Sequence, residues 1–144
     1  MIDAGRAGEF LAAARIEMNG WRAVLATADA VDLIAMRDGR IVRVQVKSTR
    51  QPARPGIYRF STHRGGDRRA LQKTDCDVVA LVALDARRVI FRPVADVQAT
   101  TTSVAQDDVT AEAEAASFEK TFQNQPDSQG AADADLQAEG QEVR

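Results

Sequence analysis

Residues 31–47 read Val31-Asp32-Leu33-Ile34-Ala35-Met36-Arg37-Asp38-Gly39-Arg40-Ile41-Val42-Arg43-Val44-Gln45-Val46-Lys47. Two apolar runs rich in β-branched residues flank an Asp-Gly pair, the strongest short-range sign of a β-hairpin. If Asp38 and Gly39 are the loop residues of a type I′ turn, Arg37 pairs with Arg40. Counting outward then sets Asp32 opposite Gln45. Side chains alternate across a strand and cross-strand partners share a face, so Asp32, Gln45 and Lys47 converge on one patch. A longer loop or a bulge would shift this register. The other face of the second strand carries Val42, Val44 and Val46, an apolar row suited to packing on a helix.

Outward from the hairpin, residues 4–19 read as a helix with Asp3 as N-cap and Asn19-Gly20 as the stop. Phe10, Leu11, Ala14 and Met18 recur at helical spacing, so this is the expected buried stripe. Glu9 sits beside it, either as a solvent-facing glutamate or as a carboxylate with a task. Trp21 to Ala26 is a strand candidate, and Thr27 to Ala30 a turn. Residues 48–56 contain Pro52 and Pro55 and read as a loop; Ile57 to Phe60 is a fourth strand. Residues 61–73 are glycine-containing and basic, and their second half is expected to form a short helix. Cys76 to Leu84 reads as a central strand buried on both faces. Arg88 to Arg92 is a last strand ended by Pro93. This order predicts a mixed sheet with the first helix on one side, an α/β or α+β domain.

The 144 residues suffice for one domain and hardly for two. One cysteine, Cys76, excludes an internal disulfide framework and a multi-cysteine zinc site, and it reads as an apolar filler. One histidine, His63, excludes a His-rich metal centre; it is expected in solvent, and Tyr58 in the core. No run approaches a membrane-spanning length and no signal peptide is evident, so a cytoplasmic protein is expected.

Charge is uneven. Residues 1–97 hold 17 Lys and Arg against 11 Asp and Glu, a balance of +6. Residues 98–144 hold 2 against 10, a balance of −8, and the two give the −2 of the whole chain. The composition predicts a folded domain over 1–97 and an acidic, low-complexity tail over 98–144. A helix is possible over 111–124, with Phe118 and Phe122 at i, i+4, and disorder is expected from about Gln125. A basic domain points to a polyanionic partner.

The patch matches the needs of phosphodiester hydrolysis: oxygen ligands for a divalent cation, and a positive group near the phosphate. Asp32 offers a carboxylate, Gln45 an amide oxygen, the Val46 backbone a carbonyl, and Lys47 an ammonium. Glu9 adds a carboxylate through water. Magnesium suits such a hard, sparse donor set.

Helix-borne Glu9 in Gly8-Glu9-Phe10, Asp32 in Val31-Asp32-Leu33 and Gln45-Val46-Lys47 after a hairpin together resemble the PD-(D/E)XK nuclease superfamily. The Gln-X-Lys form is similar to the subset that contains an intron-encoded homing endonuclease, and the layout is similar to that of Holliday-junction resolvases. The resemblance spans roughly residues 5–92. It implies a restriction-endonuclease-like αβββαβ core around a central mixed sheet, with a disordered or partly helical C-terminal tail. It also implies a Mg2+-dependent (Mn2+ possible) DNA endonuclease with catalytic Glu9, Asp32, Gln45 and Lys47. Asp32, Gln45 and the Val46 carbonyl are the expected metal ligands. Gln45 stands where the family pattern has an acid, which takes one negative charge from the site. Ser48, Thr49 and Arg50 directly after Lys47, and Arg64, Arg68, Arg69 and Lys73 in the basic loop, are expected DNA contacts. Cutting both strands with one site per chain would call for a homodimer or higher homo-oligomer. Two other readings fit the same residues: an inactive nuclease-fold DNA-binding module, and a protein-interaction module.

Overall fold

A computed structural model describes residues 2–28, 30–66 and 68–125. The expected disorder after Gln125 lies outside these residues. Helix α1 spans Ala4–Met18, and Asp3 caps it by accepting a hydrogen bond from the Arg6 N–H at 3.0 Å. Strands follow at Arg22–Ala28 (β1), Val31–Arg37 (β2), Arg40–Thr49 (β3), Ile57–Ser61 (β4), Val78–Ala83 (β5), Arg88–Pro93 (β6) and Thr101–Ala105 (β7). Helix α2 spans Ala111–Gln123.

The main sheet has the order β1-β2-β3-β5-β6. Only β3 and β5 pair in parallel; the other neighbours are antiparallel. This is the expected mixed sheet. β3 lies at its centre; β5, expected there, lies one place over between β3 and β6, and every residue of it is buried, as its unbroken apolar run requires. One face packs on α1 and α2 through Leu33, Ala35, Val42, Val44, Val46, Val78, Ala80 and Val82. The other face of β5 and β6 is covered by Tyr58, Phe60, Leu71, Cys76 and Val104 from β4, β7 and the loop between β4 and β5. Tyr58 is in the core, as expected, with its hydroxyl donating to Asp85 at 2.9 Å.

Four local expectations are corrected. The buried face of α1 is Gly8, Ala12 and Ile16; of the expected stripe Leu11 packs partly buried against the core, whereas Phe10 (49 % exposed), Ala14 and Met18 (74 %) face outward. At Gly8 the helix lies so close against β3 that no larger side chain fits there, while Ile16, two turns on, fills the core. β4 does not join the main sheet but pairs with β7 in a sheet of two strands. The second half of 61–73 is irregular, joined to the first by one isolated bridge, His63 to Ala70, with no helix among its described residues; Arg69 holds the loop through Asp75, while Arg68 and Lys73 are exposed.

The fourth correction concerns the boundary drawn at residue 97, which falls inside the folded unit. β7 pairs with β4 over Thr101–Ala105, and α2 seals the outer edge of β6 with its side chains. Glu114 Oε1 accepts from the Val89 N–H at 2.7 Å and Ser117 Oγ from the Phe91 N–H at 3.0 Å. Thr121 Oγ1 donates to the Phe91 carbonyl at 3.0 Å. An edge strand that would otherwise invite pairing with another chain is thereby satisfied. Phe118 and Phe122 stack 4.1 Å apart between ring centres and meet Trp21 and Phe91 edge-on. A segment of polar composition thus joins the core through a few well-placed residues. The possible helix at 111–124 is present as α2.

Candidate active site

The hairpin sets the site. Asp38 and Gly39 both have positive φ, 50° and 78°, the backbone of a type I′ turn. Pairing runs from Arg37 with Arg40 to Leu33 with Val44, the register read from the sequence. One further step puts Asp32 opposite Gln45. Its carboxylate Oδ2 accepts from the Val46 N–H at 2.8 Å, so an Asp32 oxygen is fixed against the β3 backbone. Ladder pairing of β2 with β3 stops one residue before this point.

Glu9 reaches Asp32 from α1. Burial, the Asp32 charge and hydrogen bonding to the Asp32 side chain, in that order, hold the Glu9 carboxyl above the usual range. Glu9 therefore keeps its proton to a higher pH than a free glutamate. The approach depends on Gly8. A β-carbon there would overlap Ser48 Oγ and lie 2.9 Å from Ser48 Cβ, so only glycine lets α1 come this close to β3.

Gln45 and Lys47 share the opposite side of β3 from the buried Val44 and Val46. Gln45 Oε1 is buried and has no hydrogen-bond partner among the described residues. Such an atom carries a desolvation cost unless a donor or cation answers it. Lys47 is half-buried and donates from Nζ to the His63 carbonyl at 3.0 Å. Burial lowers its pKa, with the Asp32 charge acting against that shift. His63 itself is half-buried rather than in solvent, with its backbone facing the site.

Among the described residues, no cluster of three or more His, Cys, Asp and Glu side chains is placed to hold a metal. The oxygen donors near the hairpin are instead the Asp32 carboxylate, the Gln45 amide and the backbone. Cys76 is a fully buried filler, as expected; burial pushes its thiol up to about 12, which removes it as a nucleophile.

The expected DNA-contacting residues fall into three groups. Ser48 Oγ is buried against Gly8, and Thr49 Oγ1 donates to the Gln51 carbonyl at 3.2 Å. Arg64 and Arg69 converge on Asp75: Arg69 makes two bonds of 2.8 Å to it, and Arg64 Nε lies 3.4 Å from Oδ1. Arg50, Arg68 and Lys73 are exposed, and Arg50 also donates to the Ile2 carbonyl at 2.6 Å. Gly8, which lets α1 approach β3, and Asp75, which gathers Arg64 and Arg69, are not among the residues singled out from the sequence. The i, i+4, i+8 row of Gly8, Ala12 and Ile16 was a usable signal for the first. No spacing pattern marks the second.

A mixed sheet with Asp32 on one hairpin strand, Gln45-Val46-Lys47 on the next and Glu9 on the covering helix has the layout of a restriction-endonuclease-like nuclease fold. The chain belongs to the PD-(D/E)XK endonuclease family, whose sequence profile matches residues 3–123. Its fold is similar to a solved structure, "The structure of a bacterial homing endonuclease: I-Ssp6803I", with a TM-score of 0.61 and 20 % identity. The similarity covers 98 % of this chain and 96 % of that one. No curated protein matches the chain. Among the described residues no helix is long and apolar enough to cross a membrane.

Proposed function

We propose that the chain is a metal-dependent endonuclease that hydrolyses phosphodiester bonds in DNA, acting in the cytoplasm. The observation that carries this reading is the buried, unpartnered Gln45 Oε1 on the strand face shared with Lys47, next to an Asp32 that Glu9 contacts. The donors fit a hard divalent cation, Mg2+ or Mn2+, held by Asp32, Gln45 Oε1 and the Val46 carbonyl. When bound, the cation would counter charge developing on the phosphate and promote ionisation of the attacking water.

The remaining work falls to the chain. The Val46 N–H orients the Asp32 carboxylate, so one oxygen is held before substrate arrives. Burial and the Asp32 charge raise the Glu9 carboxyl above its ordinary range, so the proton that relieves repulsion between the two acids is lost at a higher pH than from a free glutamate. Lys47, steered by the His63 carbonyl, brings a positive charge to the phosphate. Exposed Arg50, Arg68 and Lys73 are the first candidates for backbone phosphates, with Arg64 and Arg69 behind them. Cleavage of both strands uses two copies of the chain in a homodimer or larger assembly.

The test is cleavage of supercoiled and linear DNA with Mg2+ or Mn2+, beside the same reactions in chelator. Asp32→Ala and Lys47→Ala are expected to abolish divalent-dependent cutting. Cutting equal in the wild type and both variants would remove the assignment. DNA binding without cutting under any divalent ion would make the protein a binding module.

A further inference from the structure

We propose that Asp75 is a positioning residue that sets Lys47 through the backbone of the loop joining β4 to β5. The proposal rests on the reading of Lys47 as the ammonium of a nuclease site. Lysine has four rotatable side-chain bonds, and a fixed acceptor at Nζ removes much of that freedom before substrate binds. The acceptor is the His63 carbonyl, 3.0 Å from Nζ. What holds that carbonyl is therefore part of how Lys47 is aimed.

The loop is fastened at three places. At its start Thr62 is fully buried; its N–H donates to the Thr100 carbonyl at 2.9 Å and its Oγ1 to the Ala99 carbonyl at 2.7 Å. At its end Arg43 of β3 donates to the Lys73 carbonyl at 2.7 Å and pairs with Asp77 at 3.0 Å. Between them Asp75 gathers the two arms. It takes both bonds from Arg69, the Gln72 N–H at 2.9 Å and the ion pair from Arg64. The arms close on each other through Arg64 N–H to the Arg69 carbonyl at 2.7 Å and the bridge between His63 and Ala70. His63 thus sits between the Thr62 anchor and the Asp75 hub, with its carbonyl on Lys47.

A buried carboxylate bound to two guanidinium groups is a costly way to fill space, since apolar residues of like volume serve packing as well. Its particular effect is on direction: bidentate Arg69 and the Gln72 N–H fix the arm before the hub, and the Arg69 carbonyl and the Arg64 ion pair tie the His63 arm to it.

The test uses Asp75→Asn in the full chain, with Thr62→Val acting on the same carbonyl from the other arm should Asp75→Asn fail to fold. The readouts are kcat and KM for DNA with Mg2+, and the 1H–15N signal of the Lys47 ammonium, which a fixed acceptor protects from exchange. The expected result is a fall in kcat of about tenfold or more with KM not raised, loss of the ammonium signal, and partial recovery in Asp75→Glu. A folded variant that keeps the signal and the wild-type kcat overturns the proposal. A variant whose KM rises at unchanged kcat overturns it too, because Asp75 would then act on DNA binding. Lys47→Ala is the separate control: wild-type cutting by that variant overturns the nuclease reading, whereas loss of cutting there with an indifferent Asp75→Asn overturns this inference alone.

Discussion

Gly8 on α1 lies directly against the Ser48 side chain on β3, with no room for a β-carbon between them. The contact seats the helix low enough for Glu9, the next residue, to meet Asp32. Gly8→Ala is expected to push the helix off the strand. Overpacking of this kind costs about 1–3 kcal/mol, offset in part by the roughly 1 kcal/mol that alanine gains over glycine in a helix. Cleavage should fall by more than the stability loss explains, because Glu9 is displaced. Ser48→Gly removes both clashing atoms, so the double variant should recover activity. Kinetics and thermal melts of the two single variants and the pair check this; a double variant as poor as Gly8→Ala would contradict it.

Asp75 makes stability depend on acid. Arg69, the Gln72 N–H and Arg64 hold its carboxyl at about 2, below the ordinary 3.8. The folded value is the lower one, so the contribution is fully present above the ordinary value and is lost as pH falls through the folded value. Its size is on the order of 2 kcal/mol. Melting curves of the wild type and Asp75→Asn should therefore differ by a constant amount from neutrality down to about pH 4 and converge toward about pH 2. A gap that persists unchanged into acid would show that the carboxylate charge is not its source.

The chain should fold without residues after Gln125 and should not fold when cut at residue 97. Cutting at 97 removes β7, strips the cover from the β6 edge and takes two rings from the aromatic cluster. A point variant tests the same contact. Glu114→Ala leaves the Val89 N–H and the Arg15 and Arg88 guanidinium groups without their carboxylate, at a cost of roughly 2–4 kcal/mol. Circular dichroism and denaturant midpoints report both. A cooperative transition in the 1–97 fragment would contradict this account of the domain.

The hairpin was legible because its information is local. Asp38-Gly39 selects the turn, the turn selects the register, and the register, which ends at Leu33 and Val44, carries Asp32 alongside β3, where it bonds the Val46 N–H. The burial of β5 on both faces was legible from its unbroken apolar run, though β3 and not β5 is the middle strand. The inward face of α1 was misread because side-chain size was taken as the guide. The helix packs where it can come closest, and Gly8 and Ala12 permit that. Residues 98–123 read as an acidic tail outside the domain, with at most a helix over 111–124, because composition averages over positions. Val104, Phe118, Phe122 and three hydrogen bonds to β6 do the work there, and averaging hides them. The Asp75 hub had no sequence period to reveal it, since it links an irregular loop to itself.

Gln45 sets the charge of the site. With an amide in place of an acid, the donor set carries one negative charge fewer. Gln45→Glu is expected to tighten Mn2+ binding by about tenfold or more, and Gln45→Ala to weaken it by a similar factor. Titration calorimetry on the DNA-free protein measures both. Equal affinity in all three proteins would place the cation elsewhere.

The most direct measurement is a crystal structure of the protein with Mn2+, read by the anomalous scattering of the ion. The account predicts an anomalous peak between the Asp32 carboxylate, Gln45 Oε1 and the Val46 carbonyl, absent in crystals of Asp32→Ala. A fully loaded crystal with no peak there, or with its strongest peak at another group of residues, would contradict it.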